Sequence, residues 1–288
     1  MTSSSSTTRS TEALAALTKP HRRKRLRRIK DALIYSMPIL FLLALWELAE
    51  FTGMLDMKVM PAPHQIVERA VDLLSSTNNY VLLSHAGQSL LRALAAFLLA
   101  ALVAVPLGFA LGLSNRAYAW TSPVLSMLLP LPAVAWTPIF LVTLGRGDAT
   151  IISVCFLGAF FPILYSTIQG VQAISRHSIW VVRSMGASGS DVFFKVLLPS
   201  SLPTVITGFK LGLAHSWRTL VAAEMLAAAA FGLGYMIFAA RAYADVASMF
   251  VGIAMLAVMG FMLEHILFGN IERVTVRRWY PQRGRRAE

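Results

Sequence analysis

Six apolar runs, each about long enough to cross a bilayer, dictate what this chain can fold into. They fall near residues 32–50, 88–113, 121–143, 150–170, 204–226 and 247–269, and a membrane-crossing helix needs about 20 such residues. Backbone polar groups at that depth must be satisfied within the segment, so the runs read as helices. The fold class is therefore all-α, a polytopic membrane protein with six transmembrane helices. Composition agrees: 56% of residues are hydrophobic and only 14% charged, which excludes a soluble domain built round one large core. The single cysteine, Cys155, sits inside an apolar run, so no intrachain disulfide or thiolate metal cluster is available.

The formal charge of +12 raises a nucleic-acid reading, and the placement of the charges answers it. With the N-terminus inside, the inner segments carry 19 of the 26 Lys and Arg residues and the outer segments carry 4. Arg92, Lys210 and Arg218 lie within spans. Asymmetry of this kind in short loops places both termini and the loop 171–203 in the cytoplasm. The basic charge is a topology signal and gives no support to nucleic-acid binding.

Residues 1–31 form a cytoplasmic tail that is rich in Ser, Thr and Ala and then strongly basic, with HRRKRLRRIK directly before the first span. A cleaved signal peptide would begin in the same way, but no small-x-small site follows the apolar run. An uncleaved signal-anchor helix over 32–50 is the better reading, its basic flank favouring anionic membrane lipid. Residues 51–86 form an outer segment. In it Pro61-Ala62-Pro63 introduces a short helix with Ile66, Val67, Ala70, Val71 and Leu74 on one face and Glu68, Arg69 and Asp72 opposite. It reads as an interfacial helix or as a cover over a gate. Residues 87–269 hold the remaining spans and 270–288 a second basic tail.

Two spans carry small residues at helical spacing: Ala96, Ala100, Ala104, Gly108 and Gly112 in the second, Gly208, Gly212 and Ser216 in the fifth. Such stripes let helix backbones approach closely where lipid supplies no hydrophobic drive. The third span contains Pro123, Pro130, Pro132 and Pro138, so it is expected to be kinked or broken against protein or a cavity.

The one long polar interval of the second half runs from Ile179 to Pro199. It reads as two short helices joined at a bend. Val181, Val182 and Met185 stripe the first, and Gly186 suits the left-handed position past its end. Ser188 or Ser190 can cap the second helix, with Asp191 in its first turn, and Pro199 is expected to close the segment. Two readings stay open on these grounds: a rigid plug for docking on a soluble partner, or an ordinary interfacial loop.

Gly186, nine residues, then Val196-x-Leu198-Pro199 resembles the loop motif of inner-membrane permease subunits of bacterial binding-protein-dependent ABC importers. Leu202-Pro203, Thr207-Gly208-Phe209-Lys210, Val221-Ala222-Ala223-Glu224-Met225, Ser89-Leu90-Leu91-Arg92, Pro130-Leu131-Pro132 and Gly232-Leu233-Gly234-Tyr235 resemble the nitrate/sulfonate/taurine/bicarbonate branch. The similarity covers about residues 33–280. It implies the type I importer permease fold, a non-catalytic subunit, and no cofactor. The implied partners are a cytoplasmic ATP-binding subunit dimer, a periplasmic or lipid-anchored substrate-binding protein, and a second copy of the permease. The implied ATPase-docking loop comprises Arg183, Met185, Gly186, Ala187, Ser188, Asp191, Leu198 and Pro199. One departure stands out: the family loop opens with Glu-Ala-Ala, and here those positions are Trp180, Val181 and Val182. Consistently, the chain has no Gly-x-x-x-x-Gly-Lys-Ser/Thr phosphate loop of its own.

Candidate path residues are Pro130, Pro132, Trp136, His215 and Arg218. Arg218, with His215 one turn earlier, is a candidate attractor for an anionic solute. The competing reading has Arg218 snorkelling outward or pairing with Glu47 or Glu224. Arg92 reads as an interfacial anchor, Trp136 as a packing aromatic and Glu224 as a support for the loop 227–246. Catalysis finds no support, because the histidines are scattered and show no metal-ligand spacing. An ion-gradient-coupled carrier is the alternative function. It calls for acids at mid-span, whereas Glu47, Glu50, Glu224 and Glu264 lie towards span ends.

Overall fold

The computed structural model describes residues 37–38, 40–53, 60–75 and 80–267; the two tails and the start of the first span lie outside them. Every regular element among the described residues is helical. The chain divides into two units, residues 1–65 and 66–288. In the first, helix α1 (40–51) ends on Gly53, whose φ of 71° is the left-handed cap expected past a helix. His64 Nδ1 lies 2.6 Å from Glu47 Oε1.

The second unit is a bundle centred on α6 (Asp148–Gln172), which packs between α3 (Val81–Leu113) and α9 (Leu198–Ala227). The small-residue stripes account for this arrangement. Ala96, Ala100 and Ala104 are fully buried. A Cβ on Gly108 would lie 2.6 Å from Thr167 Cβ, and one on Gly212 would lie 2.7 Å from Ile163 Cγ1. Both faces therefore meet α6 at a separation that a larger residue forbids.

Around this triple lie α4 (Asn115–Leu128), α5 (Thr137–Leu144), α10 (Leu233–Ala242) and α11 (Val246–Met262). Helices containing Val81–Leu113, Asp148–Gln172, Gly189–Ala227 and Val246–His265 are long and apolar enough to cross a membrane, and α4 with α5 forms a fifth, bent by 86°. The sequence expectation of a broken third span is met, and its prolines divide the work. Pro123 is accommodated inside α4 and Pro138 in the first turn of α5, where a missing N–H costs nothing. Pro130 and Pro132 occupy the break itself.

Two sequence readings need correction. The stretch 227–246 is not simply a loop, because it contains α10, whose Leu233, Met236, Ile237 and Ala240 are buried. Nor does Pro199 close the docking segment. A four-residue helix α8 (Gly189–Val192) passes through a π turn (Phe193–Leu197) directly into α9. The turn bonds Leu198 N–H to Phe193 O, and Pro199 follows directly behind it in a helix that continues to Ala227.

Helix α2 (Pro63–Leu74) divides its apolar residues. Ile66, Ala70 and Leu73 pack into the core, whereas Val67 and Val71 are exposed. Arg69 pins it, donating to Asp245 Oδ2 at 2.8 Å and Ser248 Oγ at 2.9 Å. Asp245 caps α11 through the Ser248 N–H. Burial pushes the Asp245 carboxyl up, but hydrogen bonds from Ser248 and the Arg69 guanidinium outweigh it and hold the group below the usual carboxylate range.

Candidate functional site: a docking loop, a cavity and a buried ion pair

The loop begins with α7 (Arg176–Ser184). Gly186, at φ 86°, turns the chain where the sequence placed a left-handed residue. Of the two candidate caps, Ser188 is the one used. Its Oγ accepts from the Asp191 N–H while the Asp191 carboxylate accepts from the Ser188 N–H, a reciprocal box. Lys195 Nζ pairs with Asp191 at 2.5 Å. These local bonds fix the bend, and buried Val192 and Leu197, with the Phe193 ring 5.2 Å from Phe109 of α3, seat its far end against the bundle. Met185 and Ser188 are exposed, Arg183 likewise, Ala187 half-buried, and Leu198 and Pro199 half-buried at the base. Trp180, Val181, Met185 and Phe194 present large apolar side chains to the outside, Met185 at 82% exposure. Trp180 and Val181 occupy the positions where the family pattern has Glu and Ala, so any docking contact there is apolar.

A cavity of about 540 Å³ opens beside the break in the bent span. Pro130, Pro132 and Val134 form one wall. Tyr165 and Gln169, one turn apart on α6, and His215 and Thr219, one turn apart on α9, form the other. At the floor, Gly158 lets α6 and α9 approach closely, since a Cβ there would lie 3.1 Å from Thr219 Oγ1.

The structure brings Pro130, Pro132 and His215 together and sets Trp136 and Arg218 apart from them. Trp136 is half-buried in the 3-10 turn Ala133–Trp136 and does not line the cavity. Arg218 lies on a neighbouring groove of about 200 Å³ between α9 and α11, with Lys210, Trp217 and Glu264. Lys210 Nζ stands 3.8 Å from Glu264 Oε1.

Glu224 is not Arg218's partner; it is fully buried and pairs with Arg92 at 2.8 Å. Arg92 is 5% exposed and so is no interfacial anchor. Its guanidinium also donates to Asp148 at 2.7 Å and to the Phe231 carbonyl at 2.6 Å. Glu224 in turn accepts from Ser89 Oγ and from the Gly234 N–H at 2.9 Å. Ser89 Oγ accepts from the Leu233 N–H, and His85 Nδ1 from the Gly232 N–H. A Cβ on Gly232 would lie 2.6 Å from the Glu224 carboxylate, so only glycine lets the backbone thread past. The network ties α3, α6, α9 and the start of α10 into one end of the bundle, and it is how Glu224 supports that segment. Sequence reasoning missed Arg92, Asp148, Tyr165, Gln169 and Thr219 as partners or lining residues. The i, i+4 spacing of Tyr165 with Gln169 was the available signal.

Closely packed membrane-crossing helices, a bent span, a polar-walled cavity and a rigid exposed loop together define a helical membrane permease. The chain belongs to the family described as binding-protein-dependent transport system inner membrane component, whose model matches residues 104–273. It is similar to the taurine transport system permease protein TauC of Escherichia coli K12, 32% identical over 225 residues, 77% of this chain and 82% of that one. It is also similar to a putative aliphatic sulfonates transport permease protein, SsuC of Bacillus subtilis 168, 32% identical over 223 residues, 77% and 79% of the two chains. In fold it matches a chain of the MetNI methionine ABC transporter in an inward-facing conformation, with a TM-score of 0.60 at 19% identity, covering 70% of this chain and 99% of that one.

Proposed function

We propose that this chain is the membrane-spanning subunit of an ATP-driven importer for a small anionic solute of the sulfonate, taurine, nitrate or bicarbonate kind. One observation carries the mechanism: the helix that begins in the docking loop at Gly189 continues without interruption to Ala227 and forms a wall of the cavity. A force applied at Met185, Gly186 and Ser188, just before this helix, would be passed through the π turn and along α9 to His215 and Thr219. Closure of a partner ATPase dimer on the 179–199 loop would bias the bundle between inward- and outward-facing states.

In this reading both termini and the loop 171–203 are cytoplasmic, the segment 51–86 faces the periplasm, and 87–269 is the transport domain. A substrate-binding protein delivers solute from outside. Two copies of the chain face each other across the path. The subunit's work is conformational, with ATP hydrolysed by the partner.

The test is a tagged detergent pull-down of the unaltered chain and of Gly186→Asp. No atom lies near a Cβ at Gly186, so the substitution acts through the positive φ and the added charge. The expected result is a nucleotide-binding subunit that co-purifies with the unaltered chain and is lost from a folded variant. Equal capture of that subunit by both forms would contradict the docking role.

A further inference from the structure

The first helix of the docking loop is apolar where it has nothing of its own chain to cover. No residue of α7 is buried, and Trp180 at its centre is 65% exposed. Val181, Met185 and Phe194 add further exposed apolar side chains. Arg176 and Arg183 stand one turn to either side of Trp180 on the helix and are exposed as well. The only acid in residues 171–203, Asp191, is bound to Lys195 and Ser188. Large apolar side chains gathered on one exposed element mark an interaction site, and a tryptophan flanked by arginines has the composition of an interface anchor.

The length of the following helix favours a soluble partner over the membrane surface. It runs 39 residues from Gly189 to Ala227, about 58 Å at 1.5 Å per residue, whereas the hydrocarbon it crosses is about 30 Å thick. Lys210 meets Glu264 at 3.8 Å, a polar pair that fits the inner boundary of the membrane and stands about 31 Å along the helix from Gly189. The loop therefore projects clear of the headgroups in the importer reading. Its bend keeps the family residues Arg183, Gly186 and Ala187, but Trp180 stands where the family has Glu. The loop is left with three cations, Arg176, Arg183 and Lys195, against Asp191 alone.

Resting on the importer reading, we propose that this loop selects an ATP-binding subunit whose groove offers an apolar pocket to Trp180 and carboxylates at the pocket's rim to Arg176 and Arg183. A groove built to hold a glutamate would present a cation there. Trp180 would bury that cation without a partner, and Arg176 and Arg183 would repel it. Attraction to one groove and penalty against the other together make the pairing selective, so this permease and its ATPase are a matched pair.

The test uses the full-length chain with the photoreactive residue p-benzoylphenylalanine in place of Trp180, irradiated in membranes of cells that also make its native partners. The expected product is a crosslink to an ATP-binding subunit, in a peptide that is apolar at the attachment point and carries Asp or Glu beside it. Binding of that purified subunit to the chain in nanodiscs is then measured. Trp180→Ala is expected to weaken it by on the order of 30-fold, Trp180→Phe by less, and Trp180→Glu, which restores the family residue, by at least as much as alanine. Because α7 has no buried residue, these variants should unfold at the parent's temperature. A crosslinked peptide with Lys or Arg in place of the acids, or Trp180→Ala or Trp180→Glu binding as tightly as the parent, overturns the inference; release of the subunit by Gly186→Asp would still uphold the docking role. Crosslinks only to lipid or to a second copy overturn the inference too, and the docking role falls with it if Gly186→Asp leaves capture unchanged.

Discussion

Helices α3 and α9 use the same back and different fronts. Each lays a stripe of small residues on α6, Ala100 and Gly108 on one, Gly208 and Gly212 on the other. The exposed face of α3 is aliphatic, with Leu91, Leu98, Leu102 and Val103. The exposed face of α9 carries Thr207, Lys210, His215 and Arg218 among its few apolar residues. A charge turned to hydrocarbon at mid-span is costly, and Arg218 stands nine residues before the end of α9. The difference fits the proposed function, in which α3 would face lipid and α9 water or a second copy. Through the π turn, α9 joins that polar face to the proposed docking loop.

The largest effect is expected where the two helices are bolted together. Arg92→Ala leaves Glu224 buried without its cation, which costs about 3–5 kcal/mol. Thermal unfolding in detergent should show a large loss of stability, and the segment 231–234 should become susceptible to proteolysis. A variant as stable as the parent would mean that the pair contributes nothing to joining the helices.

Next in size is a direct attack on the two faces. Leu102→Arg places a charge on the α3 front and should cost about 3 kcal/mol of stability in the membrane. Leu211→Arg, on the exposed face of α9, should cost much less. Equal losses in a lipid-based unfolding assay would erase the distinction between the faces.

The smallest effect comes from a half-buried ion pair, Arg69 with Asp245, set against the buried one. Because the Asp245 carboxyl is held below its ordinary range, its bonds to Arg69 and Ser248 add stability above about pH 4, which is lost as pH falls through the lowered value. Protection of the α2 amides from hydrogen exchange should therefore fall at low pH, and Asp245→Asn should lower it at neutral pH and flatten the dependence. An unchanged profile in that variant would assign the pinning of α2 to Ile66, Ala70 and Leu73 alone.

Much of this arrangement is legible in the sequence wherever the signal is local. Five of the six expected spans, counting the bent pair as one, the small-residue stripes, the break at Pro130 and Pro132, and the Gly186 turn all follow from local patterns. The Ser188 cap was narrowed to two candidates for the same reason. What escaped depends on distance or on backbone register. Arg92 meets Glu224 across 132 residues and Asp148 across 56, and nothing local marks these partners, so Arg92 read as an anchor. Pro199 read as a stop because the π turn that precedes it is not visible as a pattern. His215 and Arg218 read as a pair because they are one turn apart, yet the boundary between two cavities runs between them. Helix α10 was hidden by its shortness, ten residues between glycine and a turn.

The most direct measurement compares one residue type on the two faces. Leu102→Cys and Leu211→Cys are both mid-helix and exposed, at 70% and 47% for the native leucines. Each full-length variant, held in nanodiscs so that both membrane sides are open, would be treated with a charged, membrane-impermeant maleimide. Rapid labelling at 211 with protection at 102 is the predicted result. Protection at both positions, or equal labelling at both, would contradict the assignment of α9 to the aqueous path.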